Sequence, residues 1–248
     1  MTATPAWPPA STPRLFVDQP LASGMAITLD GAPANYLGNV MRLKAGDPVR
    51  LFDDRTGEWL AEVRDTAKRS ITLSLTDQLR PRESVPDLWL LFAPVKKAPL
   101  DWLVEKATEL GVARLQPVIT QRTIVDRVNM DRLRSITIEA AEQCDRTALP
   151  EIAEPVKLDA LLRTWPAERA LLFADEAGGT PLGRVARPGP SAILTGPEGG
   201  FTDAERAGIG VVSAATPVSL GPRILRAETA ACAAIALWMG AAGDWRED

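Results

Sequence analysis

Two rhythms of apolar and polar residues succeed one another along the chain. From Arg14 to Leu79 the apolar residues come in short runs: Arg14–Val17, Met25–Leu29, Val49–Phe52, Trp59–Val63 and Ser70–Leu75. Turn chemistry separates them at Asp30-Gly31, Gly46-Asp47-Pro48 and Thr56-Gly57. Closely spaced short strands with such turns predict a small β-barrel. The stretch Asn35–Leu43 breaks the alternation and predicts a short helical insert.

A polar, proline-bounded segment, Leu79–Pro86, marks the boundary. Beyond it, strands alternate with helices. Leu88–Ala93 reads as a buried strand, Pro99–Leu110 as a helix stopped by Gly111, and Val112–Ile119 as a second strand. Asp131 is placed to cap a helix through Cys144, and Ala170–Ala174 forms a third strand ending in Asp175-Glu176-Ala177-Gly178-Gly179. The last helix, Arg226–Met239, is rich in alanine, which suits either a subunit interface or a tightly packed core helix. This alternation predicts an α/β domain with a parallel sheet covered by helices. The expected organisation is a disordered tail over 1–13, a barrel over 14–79, a linker over 80–86 and the α/β domain over 87–248.

Two loops stand out in the last third. Ser191–Thr195 opens into Gly196-Pro197-Glu198-Gly199-Gly200-Phe201, and Pro217–Leu220 opens into Gly221-Pro222-Arg223. Three glycines in five positions let backbone approach a bound molecule closely, or merely close a tight turn. Thr202 with Glu205 three places on reads as a capping box, so a helix starts there with its free amides facing the loop. Loops of this kind gather at the carboxyl ends of parallel strands, where α/β sheets bind ligands.

Composition narrows the chemistry. The 248 residues include no histidine, which excludes histidine general bases, Ser-His-Asp triads and HExxH zinc sites. Cys144 and Cys232 are far apart in helical surroundings, so they are expected as buried thiols and no metal is expected. Net charge is -4, and the excess of acid lies in the C-terminal part, where residues from Glu151 onward carry 9 basic and 13 acidic side chains. Contacts with nucleic acid must then come from local patches, which favours a shaped target. No apolar run is long enough to span a membrane and the N-terminus lacks an export pattern, so no membrane partner and a cytoplasmic location are expected.

The Gly196–Phe201 loop has no Lys-Ser/Thr pair after its glycines, and GxGxxG spacing is missing, so P-loop and dinucleotide chemistry fit poorly. A neutral, backbone-lined pocket for an adenosine-type ligand remains. Gly196–Phe201 together with Leu220–Ala230 resembles the signature of the RsmE-type 16S ribosomal RNA uridine-N3 methyltransferases of the SPOUT superfamily. Asp101–Gly111, Glu139–Arg146 and Gly57–Val63 agree, and the resemblance runs from about Arg14 to about Met239. Asn35-Tyr36-Leu37 departs from it where relatives often carry histidine, and Ala227 stands where many carry threonine.

The resemblance implies a trefoil-knotted, parallel-sheet SPOUT domain after a small PUA-like β-barrel. It also implies a homodimer, S-adenosyl-L-methionine as cofactor, and 16S ribosomal RNA of the small subunit as partner. Cofactor contacts are expected from Leu194, Thr195, Gly196, Pro197, Glu198, Gly199 and Gly200 in the first loop. Those from the second are Leu220, Gly221, Ile224, Leu225, Arg226, Thr229 and Ala230. RNA contacts are expected from Arg14, Arg42, Lys44, Lys96, Lys97, Arg122 and Arg146. As catalytic residues, Arg226 would stabilise charge on the uridine carbonyl oxygens and Glu228 would take the N3 proton or orient the base; alternatively the two only fix their loop. Two other functions stay open at this level: methylation of another nucleotide or of a 2′-hydroxyl, and a non-catalytic ribosome-binding or assembly module.

Overall fold

The computed structural model describes residues 11–125 and 127–246, which form two compact units. One comprises the described residues through Ser84 together with Ala141–Ala148; the other comprises Val85–Ala140 and the residues from Leu149 on. The division is not linear in sequence. Residues 1–10 of the expected tail lie outside the described residues, but Thr12 is buried and the Pro13 carbonyl accepts from the Arg50 amide at 2.8 Å.

The first unit is a five-stranded half-barrel built from β1 (Arg14–Phe16), β2 (Ala26–Asp30), β3 (Pro48–Asp53), β4 (Gly57–Thr66) and β5 (Ser70–Pro81). Its order is β1-β3-β4-β5-β2, with β1 parallel to β3 and the other pairs antiparallel. Alternate residues face the core, among them Val49 and Leu51 on β3 and Ile71, Leu73 and Leu75 on β5. Register shifts between β4 and β5 at Glu58/Trp59, Trp59/Ala61 and Val63/Asp65 bend the sheet. The helical insert is present as α1 (Gly31–Asn35) followed by a π-helical turn, Tyr36–Val40. Because β5 runs to Pro81, the linker expected from residue 80 begins inside a strand. Arg80 holds that strand end through its ion pair with Glu58 at 2.7 Å.

The second unit carries β6 (Leu88–Phe92), α2 (Lys97–Glu109), β7 (Arg114–Ile119), α3 (Met130–Gln143), β8 (Glu151–Ile152), β9 (Val156–Lys157), α4 (Leu158–Arg163) and β10 (Ala170–Ala174). It continues with β11 (Thr180–Pro181), α5 (Leu182–Val185), β12 (Ser191–Thr195), α6 (Asp203–Gly210), β13 (Ala215–Ser219) and α7 (Ala227–Ala242). All paired strands are parallel, in the order β11-β13-β10-β12-β6-β7-β8, with β9 also on β7. Period-two alternation sends Leu88, Leu90 and Phe92 into a core with α2, α5 and α7. It sends Leu91, Leu171, Phe173 and Leu194 into a second core with α4 and α6. The sheet is therefore a middle layer between helices. Trp238, fully buried, shows that one face of the alanine-rich α7 packs inside its own chain.

Two local expectations are corrected. Asn129, not Asp131, caps α3: its Oδ1 accepts from the Arg132 amide at 3.1 Å. The cysteines are not both buried, since Cys144 is exposed and Cys232 half-buried, and neither is in a disulfide. Among the described residues no helix is long and apolar enough to cross a membrane.

Candidate functional site

The sheet order decides where the glycine loops go. β12 lies between β10 and β6, and β13 lies on the other side of β10, so three neighbouring parallel strands release their following loops at the same edge. Those loops, with the start of α7, wall a cleft of about 340 Å³.

The first loop, Gly196–Gly200, is shaped by contacts that leave little room for side chains. A Cβ on Gly196 would lie 3.2 Å from the buried Phe201 ring, and one on Gly199 would lie 3.2 Å from Cδ of Arg122. Gly200 has φ +66°, and a Cβ there would meet the Glu176 carboxylate. The capping box at the start of α6 is complete: Thr202 Oγ1 accepts from the Glu205 amide at 3.2 Å, and Glu205 Oε2 accepts from the Thr202 amide at 2.9 Å. Glu205 does more than cap. Its Oε1 accepts from the Gln121 amide at 2.7 Å, and Arg122 Nη1 donates to the Gly199 carbonyl at 2.5 Å. The turn after β7 is thereby tied to the glycine loop at two points.

Of the expected cofactor contacts, Thr195, Gly196, Pro197, Glu198, Gly199, Gly200, Leu220, Gly221, Ile224, Leu225 and Ala230 line the cleft. Leu194, Arg226 and Thr229 do not; Leu194 is fully buried in the core beneath the loop. Arg226 occupies the N-cap position of α7, its carbonyl accepting from the Ala230 amide at 2.8 Å, and Glu228 lies in the first turn. Among the described residues neither side chain forms a hydrogen bond or ion pair that would fix the loop.

The third wall is the one sequence reasoning left unassigned. Asp175, Glu176 and Gly178 follow β10 and line the cleft, and Arg206 on α6 pairs with both carboxylates. An Asp-Glu pair running into Gly178-Gly179 directly after an apolar strand was the available signal. Only the strand order shows that this loop stands between the other two.

Two of the expected RNA contacts are corrected. Arg14 is buried: its Nε pairs with Glu58 at 2.5 Å and its other nitrogens donate to the Ala141 and Arg146 carbonyls at 2.5 and 2.7 Å. Arg146 is also buried, and that burial pushes its guanidinium below the usual arginine pKa. Both serve to hold the half-barrel unit together. Arg42, Lys44, Lys96, Lys97 and Arg122 are exposed.

Residues 81–239 match the RNA methyltransferase domain family, and residues 29–76 match the RNA methyltransferase PUA domain. Fold and site together thus define an RNA methyltransferase domain joined to a PUA domain. Ribosomal RNA small subunit methyltransferase E of Rickettsia conorii is 33% identical over 229 residues, covering 90% of this chain and 93% of that protein. The protein of the same name from Synechocystis sp. is 33% identical over 232 residues, covering 90% and 76%. The Neisseria gonorrhoeae ribosomal RNA small subunit methyltransferase E, solved bound to S-adenosyl methionine, has a TM-score of 0.86 at 29% identity, covering 95% of this chain and 100% of that one. The chain belongs to the ribosomal RNA small subunit methyltransferase E family.

Proposed function

We propose that this protein binds S-adenosylmethionine in the cleft between the β10, β12 and β13 loops and methylates N3 of a uridine in 16S ribosomal RNA. The observation that carries the reading is the convergence of two glycine-bearing loops on one cleft, with Arg226 and Glu228 at the start of the helix that follows the second loop. The cleft suits the cofactor. Its volume falls in the range of about 300–1,000 Å³ typical of small-ligand sites, and small residues such as Gly196, Gly199, Gly221, Ala227 and Ala230 let backbone groups come close to a ligand, beside apolar Leu220 and Leu225. Amides and carbonyls there match the edges of an adenine and a ribose.

When bound, S-adenosylmethionine supplies an activated methyl group. The chain's task is alignment and charge. The loops hold the cofactor's position through backbone groups fixed by Arg122, Glu205 and the Glu176–Arg206 pair. Loss of the imide proton from uridine N3 spreads negative charge onto the flanking carbonyl oxygens, where the Arg226 guanidinium stabilises it. The Glu228 carboxylate takes that proton or orients the base.

The fold reading extends to a trefoil knot formed by the loops after β12 and β13, supported by the insertion of β12 between β10 and the earlier strand β6. It extends also to a homodimer. Leu237, 44% exposed on α7, and Ile224, 90% exposed beside the cleft, are apolar groups that a second copy would cover. The small subunit as substrate and a cytoplasmic location complete the assignment. A near-neutral protein relies on a preformed RNA surface more than on phosphate attraction, so the assembled subunit is the preferred target.

The test is to incubate small subunits from a strain lacking the enzyme with labelled cofactor and to map the modified base. Label at a uridine N3 is expected; label at a 2′-hydroxyl or another base overturns the assignment. Calorimetry on Glu228→Gln should show unchanged cofactor affinity with methyl transfer lost, and retained transfer would remove Glu228 from the chemistry. Sedimentation at micromolar concentration should give a dimer; a monomer would refute that part.

A further inference from the structure

The half-barrel unit holds a second pocket, of about 380 Å³ and lined entirely by residues between Asp30 and Ile71. It forms where the tip of the β4–β5 hairpin, closed by the Ala67 amide on the Ser70 carbonyl at 2.9 Å, stands beside the end of β2 and the α1 insert. We propose that this pocket seats one nucleotide of a single-stranded RNA segment, a contact separate from the methyl-transfer site. The proposal rests on the RNA substrate assigned above, but not on which atom is methylated.

Three kinds of group meet there. The floor is apolar, with Ala34 and Ile71 buried. On one rim, Asn39 Nδ2 donates to Asn35 Oδ1 at 2.9 Å. That bond orients the pair and leaves the Asn39 oxygen as acceptor and the Asn35 nitrogen as donor, the combination that reads a base edge. On the other rim, exposed Lys68 and Arg69 form no ion pair among the described residues, so both cations are available for a phosphate. Asp30 is the single carboxylate in the lining, an acceptor for a ribose hydroxyl.

The insert itself is held in an uncommon conformation. Its π-helical turn, Tyr36–Val40, is followed by Arg42 at φ 57°, a left-handed value that a non-glycine residue seldom adopts. A cationic rim beside amide edges suits an unpaired base with its phosphate; nothing in this set favours a wholly apolar or a cationic partner. The RNA contacts expected from the sequence in this unit included Arg42 and Lys44 but not the hairpin tip, whose Lys68 and Arg69 share a pocket with the insert only in the folded chain.

The test uses the full-length protein, a fluorescent single-stranded oligoribonucleotide, and anisotropy across a salt series. Removing both cations (Lys68→Ala with Arg69→Ala) should weaken binding and lower the salt slope by about 0.7 for each phosphate left without its cation. Gly38→Leu blocks the pocket by volume. Gly38 has an ordinary φ and nothing within 4 Å of a Cβ, so the substitution leaves the fold room. It should weaken binding by roughly tenfold, the loss of one seated base, with the salt slope unchanged. Cofactor affinity measured by calorimetry should stay at the wild-type value in both variants. Wild-type strand affinity in either variant overturns the proposal, as does competition by uridine monophosphate at the strand's own affinity, which would mark a free-nucleotide site. Failure of the methylation assay leaves these results readable, because strand binding is scored without methyl transfer.

Discussion

Glu205 is the residue on which the geometry of the first glycine loop most depends, and truncating it is the sharpest test of that reasoning. The residue is 9% exposed, and its carboxylate accepts the Gln121 amide at 2.7 Å, the Thr202 amide at 2.9 Å and the Thr202 hydroxyl at 3.1 Å. Glu205→Ala leaves two partly buried backbone donors without an acceptor and removes half of the capping box. At about 1–1.5 kcal/mol for each of these two donors, the low end of the cost of an unsatisfied group because both are only partly buried, the cost is about 2–3 kcal/mol. Glu205→Gln keeps one acceptor oxygen but turns an amide NH₂ toward an N–H donor, so about half that cost is expected. Urea unfolding followed by tryptophan fluorescence would register the larger loss as a midpoint about 1 M lower, for a slope on the order of 2–3 kcal/mol/M. Calorimetry should show weaker cofactor binding in the same order, Ala worse than Gln, because the Gln121-Arg122 turn, whose Arg122 holds the Gly199 carbonyl, loses its tie to α6. If both variants unfold within about 0.5 kcal/mol of wild type and bind cofactor equally well, the brace between the Gln121 turn and the glycine loop is not what shapes the cleft.

Other consequences can be checked independently. Burial pushes the Asp53 carboxyl up, but hydrogen bonds from the Thr56 hydroxyl and amide, the Arg55 amide and the Leu21 amide outweigh it and hold the pKa below the usual value. A depressed folded pKa gives stability that is present above the unfolded value, near 4, and lost as pH falls through the folded one. Asp53→Asn should therefore flatten the acid limb of a stability profile below about pH 4, and an unchanged limb would contradict the assignment. Burial pushes the Cys232 thiol up to about 11, whereas Cys144 is exposed. A maleimide at neutral pH should label Cys144 first and Cys232 only after denaturation; mass mapping of the labelled peptides decides this. Gly208, on α6 with nothing within 4 Å of a Cβ, should accept alanine with a gain of about 0.5–1 kcal/mol. At Gly179 a Cβ would lie 2.5 Å from the Pro217 carbonyl oxygen, so Gly179→Ala should destabilise; denaturant midpoints moving the opposite way would refute both.

Local pattern carried far in this chain because its elements obey their own periods. The β12 run Ser191–Thr195 and the β10 run Ala170–Ala174 coincide with the observed strands, and the Thr202–Glu205 box starts α6 as its spacing predicts. Those features depend on residues within a turn or two of one another, where side-chain chemistry and backbone geometry determine the outcome. The same holds for the chemistry that the lack of histidine excludes. What distance in the sequence hid was partnership. Arg14 read as a surface cation, yet Glu58, 44 residues away, takes it into the interior. Ala141–Ala148 belonged by position with the helical unit and by packing with the half-barrel. Asp175 and Glu176 became cleft walls only because β12 and β13 flank β10, an order of pairing between segments far apart in the chain. The sequence determined the strands, the helices and the capped glycine turn, each a matter of neighbouring residues. Tertiary structure alone decided which turns share a cleft and which arginines reach solvent, because both depend on burial and pairing between residues far apart in the chain.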